Sequence, residues 1–346
     1  MHLFHNDYNE ICHSAVLDKM LSRRELQMPG YGEDPACEKA ADRIRELCGA
    51  KNAAVHFLVG GTQTNLLVAA AALRPHQAVL GAQSAHIFVH ETGAVEATGH
   101  KVVTLPSADG KLTAEGIRAA LEAQRKDENK EHNVQLKLVY ISQSTELGTT
   151  YKLAELEAIS AVCREYGIYL YMDGARLGYA LEACDNDMTL QDIARLCDAF
   201  YIGGTKVGAM FGEALVILNP AIAEDFRYII KQRGALLAKG WLLGLQFEAL
   251  FEDDLYFKVS RHADAMADRL RDTLAELGYD LYLPGTTNQV FAVLPDSVLN
   301  KLSEDFTFML QEKLTDGRSA VRFCTSWATT EESVTALCEA FRNLSE

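Results

Sequence analysis

Two stretches of this chain end apolar runs in residues that could do chemistry together. In Leu170-Tyr171-Met172-Asp173-Gly174-Ala175-Arg176 the apolar residues give way to an acid, a glycine and an arginine. That is the carboxyl end of a strand, where open α/β sheets place their ligands. Further on, Phe200-Tyr201-Ile202 ends in Gly203-Gly204-Thr205-Lys206. A lone lysine at a strand end is most often a surface charge. Here its neighbours are small and uncharged, and desolvation in such surroundings lowers the pKa of an ammonium toward a nucleophilic amine. A lysine of this kind paired with Asp173 suits pyridoxal 5'-phosphate. That cofactor needs an amine for its Schiff base and a carboxylate to keep its pyridine nitrogen protonated.

A phosphate also has to be held. Val59-Gly60-Gly61-Thr62-Gln63-Thr64-Asn65 runs from a strand end into a helix start. Glycines there permit close backbone approach, and the free N–H groups of a helix N-terminus favour an anion. Alone, such a turn is usually only a turn; beside Asp173 and Lys206 it reads as a phosphate cup. His86 and His90 are four apart with Glu91 adjacent, but a metal site needs a third ligand, and no partner is evident, so no metal is expected.

The elements that must position these residues alternate. Strands are expected at Ala53–Val59, Gln77–Leu80, Lys101–Leu105, Leu136–Ser142, Ile168–Met172, Asp198–Ile202 and Ala214–Leu218. Between them fall helices at Thr62–Leu73, Thr113–Gln124, with Thr113 as N-cap, and Leu153–Tyr166. The pattern predicts an α/β layer with a mainly parallel sheet. After Gly240 it changes: one long helix is expected through Trp241–Phe251 and on to Leu277. Strands at Asp280–Leu283 and Gln289–Leu294 then flank a PGTTN turn. A strand at Ala320–Thr325 and a helix from Glu331 close the chain. The expected domains are a large α/β domain over 1–245 and a small α+β domain over 246–346, with segment 1–25 packing on the small one. The polar run Lys126–Asn133 reads as a solvated loop.

Bulk properties narrow the function. The 346 residues carry a formal charge of −15 with no basic stripe, which argues against nucleic acid as a partner. No apolar run reaches the length that spans a bilayer, so no membrane partner is expected, and the first residues, MHLFHNDYNE, do not read as a secretory signal. The eight cysteines are scattered without a C-x-x-C pair, as in reduced thiol usage. The expected compartment is the cytoplasm.

Taken in order, the motifs resemble the low-specificity threonine aldolases, which are fold-type I pyridoxal-phosphate enzymes grouped with the aromatic β-eliminating lyases. The resemblance spans nearly the whole chain. It rests on His5-Asn6-Asp7, Tyr31-Gly32-Glu33-Asp34-Pro35, GGTQTN at 60–65, AHIFVHETG at 85–93, DGAR at 173–176, GGTKVG at 203–208 and Arg322. It implies Lys206 as the Schiff-base lysine and Asp173 as the partner of the pyridine nitrogen. It gives Gly61, Thr62 and Gln63 to the phosphate, and makes His86 the ring stacker near the substrate hydroxyl. Arg176 and Arg322 would face the substrate carboxylate, with Asn6 beside them, and Tyr31 would approach the cofactor of a neighbouring subunit. Two departures stand out. The family's N-T-H run after the strand equivalent to Leu136–Ser142 has no histidine here, Thr145 aligning to it, and the M-R-Q-A-G run has become Leu236-Leu237-Ala238-Lys239-Gly240.

The activity implied is cleavage of a β-hydroxy-α-amino acid, such as threonine or allo-threonine, to glycine and an aldehyde. The base for the hydroxyl proton would be His86, directly or through water. One alternative is β-elimination from a substituted alanine, with Lys206 as base at Cα. A remoter one is a non-catalytic protein that only binds the cofactor; a pair of arginines for a substrate carboxylate argues against it. The resemblance further implies a homodimer or homotetramer with shared active sites.

Overall fold

The structure is a computed structural model and describes residues 1–345. Its strands in chain order begin with β1 His2–Leu3, β2 Ala54–Leu58, β3 Gln77–Ala82, β4 Val102–Leu105 and β5 Gln135–Ser142. They continue with β6 Tyr169–Asp173, β7 Ala199–Gly203, β8 Glu213–Ile217, β9 Asp280–Leu281 and β10 Gln289–Pro295, and finish with β11 Phe306–Thr307, β12 Met309–Lys313 and β13 Arg318–Cys324. Seven of them form one sheet in the order β2-β8-β7-β6-β5-β3-β4. Pairings from β4 through β7 are parallel, and β8 runs antiparallel to both β7 and β2. The expected mainly parallel sheet is therefore present, with one reversed strand.

Period-two alternation decides which face of this sheet each residue joins. Val139, Ile141, Leu170, Met172, Phe200 and Ile202 pack on one side with Leu156, Ile159 and Phe247 from helices. Leu138, Tyr140, Tyr171, Ala199 and Tyr201 face the other side, with Leu67 and Val68 of helix Gly61–Ala72. Three tyrosines are thus brought under the helix whose first turn is the glycine cup.

The chain after Gly240 departs from expectation in more than one place. The long helix is two, Trp241–Phe251 and Leu255–Glu276, and the break at Glu252–Asp254 holds Asp253 and Asp254 in left-handed backbone with φ of 51° and 56°. Aspartate tolerates that conformation better than most residues. The second sheet is antiparallel, ordered β12-β13-β10-β9, and its strand β12 was not expected. It packs with Leu270, Leu274, Leu337 and Phe341 around a core of its own. Residues at the start of the chain reach this sheet: β1 pairs with β11, and Phe4 lies in that core. Helix Ser14–Ser22 instead buries Val16 in the core of the large layer.

The local signals behave as their chemistry requires. Thr113 caps Ala114–Lys126 by accepting from Gly116 N, and Asp34 caps Pro35–Leu47 with Pro35 in the first turn.

Candidate active site

The ends of β6 and β7 cross so closely that they admit no side chain at two positions. A Cβ on Gly174 would sit 1.7 Å from the Tyr201 carbonyl oxygen, and one on Gly203 would sit 2.4 Å from the Ala175 carbonyl oxygen. This contact brings Asp173 and Lys206 to the floor of one cavity of about 630 Å³. Its walls include Gly60, Gly61, Thr62, His86, Glu146 and Arg322.

Asp173 is buried and receives four hydrogen bonds. Tyr140 Oη (2.7 Å) and Asn65 Nδ2 (3.0 Å) donate to Oδ2, while Tyr201 Oη (2.6 Å) and Ala175 N (3.0 Å) donate to Oδ1. Burial alone would raise its pKa. The positive field of His86 and the tyrosine and backbone donors outweigh that and hold the carboxyl below its ordinary value. Burial pushes Tyr140, Tyr171 and Tyr201 well above the usual phenol range, so they remain donors. Asp173 itself belongs to the cavity wall, with Tyr201 and Ala175.

Lys206 lies beside Arg176. Burial and the neighbouring guanidinium lower its pKa, against the opposing pull of Asp7, Asp173 and Glu213. An amine whose pKa is lowered in this way is more readily deprotonated and hence a better nucleophile than a solvated lysine. Glu213, whose Oε2 accepts from Gly204 N at 2.9 Å, has its carboxyl pushed up to about 7 by burial.

His86 opens the short helix His86–Val89 and is tied to a buried acid. Its Nδ1 lies 2.8 Å from Glu91 Oε1, which also accepts from Asn65 Nδ2 at 2.7 Å. A carboxylate acceptor fixes the proton on Nδ1 and leaves Nε2 as the basic nitrogen. Asn65, with Tyr171 Oη donating to its Oδ1 at 2.8 Å, links this dyad to Asp173.

The cup and the arginines differ from expectation in detail. Helix Gly61–Ala72 begins at Gly60 with no side-chain cap, so its first N–H groups are left to the cavity. A Cβ on Gly61 would lie 2.7 Å from Tyr201 Oη, whereas one on Gly60 would meet nothing within 4 Å. Gln63 is not in the cavity wall; its Oε1 turns back to Val59 N at 3.3 Å. Arg176 lines the cavity but is engaged by the fully buried Asp7, with Nε–Oδ2 at 2.7 Å and Nη2–Oδ1 at 3.0 Å. Arg322 has no carboxylate partner among the described residues. Its Nη1 donates to Gln289 Oε1 (3.3 Å), its Nη2 donates to the His5 carbonyl (3.1 Å), and its buried Nε is unsatisfied.

Two expected residues stand apart. Asn6 borders a shallower hollow at the cavity mouth, with Tyr8, Met309 and Arg322, and its Oδ1 accepts from Tyr8 N. Tyr31 lies in a different cleft with Arg45, His56 and Arg227, is 44% exposed, and has a φ of 62°. Within one chain it does not reach the cavity. Five polar residues that sequence reasoning did not assign belong to the site or its support: Asp7, Asn65, Glu91, Glu146 and Glu213. Three of them sit inside the motifs above: Asp7 in His5-Asn6-Asp7, Asn65 in GGTQTN and Glu91 in AHIFVHETG.

The donor set fits a phosphorylated pyridine aldehyde. It offers an uncapped helix end beside a glycine with room around it, a cavity-lining carboxylate held below its ordinary pKa, and a lysine whose pKa is lowered.

Comparison with known proteins agrees. The model of the family described as beta-eliminating lyase matches residues 12–297. A low specificity L-threonine aldolase from a Pseudomonas species is 33% identical, over 97% of this chain and 96% of its own. A threonine aldolase from Leishmania major is 50% identical over the whole of both chains, with a TM-score of 0.97. An aspartate aminotransferase from Thermus thermophilus shares the fold at 17% identity, covering 99% of this chain and 91% of its own with a TM-score of 0.73.

Proposed function

Because the chain belongs to the beta-eliminating lyase family, in its low-specificity threonine aldolase group, we propose that it cleaves threonine-like β-hydroxy-α-amino acids to glycine and an aldehyde. It is a lyase, and its cofactor is pyridoxal 5'-phosphate. When bound, that group supplies an electron sink for the pair left on Cα.

The protein's own residues divide the remaining work. Lys206 would offer the amine for the Schiff base, and the Asp173 carboxylate would hold a proton at the pyridine nitrogen. The first turn of Gly61–Ala72, with Gly61 and Thr62, takes the phosphate. His86, fixed by Glu91, is the residue assigned to stack on the ring. Arg322 would bind the substrate carboxylate and so fix the substrate's orientation in the cavity. Arg176 contributes through the N–H groups that Asp7 leaves free, and Asn6 stands at the entrance.

One observation carries this reading. A half-buried arginine, Arg322, with a buried, unsatisfied Nε and no acidic partner among the described residues, shares a cavity wall with Lys206 and Asp173. A charged donor left this way calls for an anionic ligand. The test is a panel of 3-hydroxy amino acids and substituted alanines, assayed for aldehyde, pyruvate and ammonia, with Lys206→Ala as control. Aldehyde plus glycine is expected, and pyruvate without aldehyde would overturn the reading in favour of β-elimination.

The large and small domains are proposed to divide near residue 245, inside helix Trp241–Phe251, and limited proteolysis would test that division. We also assign a homodimer or homotetramer with shared sites. The exposed Tyr31, on a surface away from its own chain's cavity, supports this; sedimentation of the holoenzyme as a single chain counts against it. No described helix is long and apolar enough to cross a membrane. We place the protein in the cytoplasm, a reading supported by eight free cysteines, six of them buried, and tested by fractionating cells.

A further inference from the structure

The reading above leaves the proton of the substrate's β-hydroxyl without a second acid–base group, since the stretch after β5 has no histidine. Thr145, which aligns to the absent histidine, cannot replace it. It is fully buried and turned away from the cavity, with Oγ1 2.7 Å from Thr149 Oγ1. The next residue, Glu146, does line the cavity.

Its carboxylate is held in a fixed pose. Ser142 Oγ donates to Oε1 at 2.7 Å, and the backbone N–H of His86 donates to the same oxygen at 2.9 Å. The serine hydroxyl also lies 3.3 Å from Tyr140 Oη. It has one hydrogen, and the shorter, charged contact takes it. Both anchors fall on Oε1, so Oε2 is the oxygen left to meet a ligand. The second anchor is the backbone of His86 itself, so carboxylate and imidazole are mounted on one wall.

We propose that Glu146 is the acid–base residue for the β-hydroxyl, working beside His86; this rests on the aldolase reading. As the Cα–Cβ bond breaks, the hydroxyl O–H bond breaks with it. The proton passes to Glu146 Oε2 and the carbonyl of the aldehyde forms. The electron pair of the broken bond stays on Cα, which the bound cofactor makes tolerable. The proton then leaves Glu146 for cavity water, and one proton is added at Cα. Threonine thus gives glycine and acetaldehyde with no net change in protons.

The electrostatics suit the task. Burial raises the Glu146 carboxyl, the negative Asp173 adds to the rise, and Ser142 and the His86 N–H restrain it. A carboxyl raised above its ordinary value is a stronger base for this proton than a solvated one, while its fixed pose beside His86 places it to act.

The test uses the holoenzyme and separates this step from those that need no hydroxyl base. Glu146→Gln keeps an oxygen for Ser142 and His86 N but loses the basic site. Aldehyde release from threonine is expected to fall about 100- to 10,000-fold through kcat, the usual range for general acid–base catalysis. Exchange of the glycine α-hydrogen with solvent deuterium, read by NMR, should continue near the wild-type rate. In Glu146→Ala, added formate should restore part of the aldehyde release. Aldehyde release by Glu146→Gln at the wild-type rate would overturn the inference. So would an equal loss of aldehyde release and exchange, with no rescue by formate. Failure of the wild type to release aldehyde while it exchanges glycine would overturn the aldolase reading itself, and this step with it.

Discussion

Asp7 is where one substitution reports on the assembly of the whole site. Its carboxylate is fully buried, forms a two-point ion pair with Arg176, and accepts from Asn288 Nδ2 at 2.9 Å. Burial works to raise its pKa. The fields of Arg176 and Lys206 and the two side-chain donors overcome this and bring it to about 2, from an ordinary value of 3.8. The folded value lies below the unfolded one. The stabilisation is therefore complete above the unfolded value and is lost as pH falls through the folded one. The gap, at 1.36 kcal/mol per pH unit, is worth about 2.5 kcal/mol. Asp7→Asn removes the charge and keeps the shape, leaving a buried guanidinium without its counterion, a change that costs about 3–5 kcal/mol. The assay is urea denaturation at fixed protein concentration, for wild type and variant, at pH 7 and across the acid range. The variant should be much less stable at pH 7 and should lose less on acidification, so the two curves converge toward low pH. Parallel curves, or a loss at pH 7 under about 1 kcal/mol, the worth of an ordinary exposed pair, would refute the reasoning.

Two further substitutions probe the site directly. Arg322→Met should raise KM for threonine roughly 10- to 150-fold, the equivalent of about 1.5–3 kcal/mol for a charged hydrogen bond, with the cofactor's absorbance unchanged; an unaltered KM would remove Arg322 from the carboxylate site. Gly174→Ala places a methyl 1.7 Å from the Tyr201 carbonyl oxygen and must push β6 and β7 apart. A loss of about 1–3 kcal/mol or more in stability, with weakened cofactor absorbance, is expected, and a fully active, equally stable variant would contradict the crossing described.

What could be read from the sequence was whatever a local rule controls. Leu153–Tyr166 announced itself by periodicity, Thr113 by capping chemistry, and the β5, β6 and β7 runs by continuous apolar character between turns. Lys206 and Asp173 were readable because a strand end is a local feature with a known direction. Strand β12 was not: Met309–Lys313 is largely polar and partly exposed, so neither alternation nor an apolar run marks it. The helix break at Glu252–Asp254 escaped because three consecutive acids carry no turn signature as strong as glycine or proline. The supporting acids escaped for a different reason. Asn65 bonds Glu91 and Asp173, 26 and 108 residues away, and Asp7 meets Arg176 169 residues away. No spacing rule reaches that far. Thr145 and Glu146 differ by one position, and only the path of the backbone after β5 decides which of them meets the cavity.

The long separations also show that the large sheet alone cannot make this site. Asp173 ends β6 and Lys206 follows β7 of that sheet, but Arg322 lies on β13 of the antiparallel sheet, and residues joining the two sheets come from the start of the chain. Cys324 N donates to the Phe4 carbonyl, Arg322 Nη2 to the His5 carbonyl, and Asp7 bridges Arg176 of the large layer to Asn288 before β10. Residues 4–7 therefore link the two sheets, fixing each arginine by a different chemistry: one by a buried carboxylate, the other by a neutral carbonyl. The difference has a functional consequence. A guanidinium paired with Asp7 has part of its field offset, whereas one held by a carbonyl keeps its full field. The division of labour between Arg176 and Arg322 follows from this, the first holding the segments together and the second drawing in the substrate carboxylate.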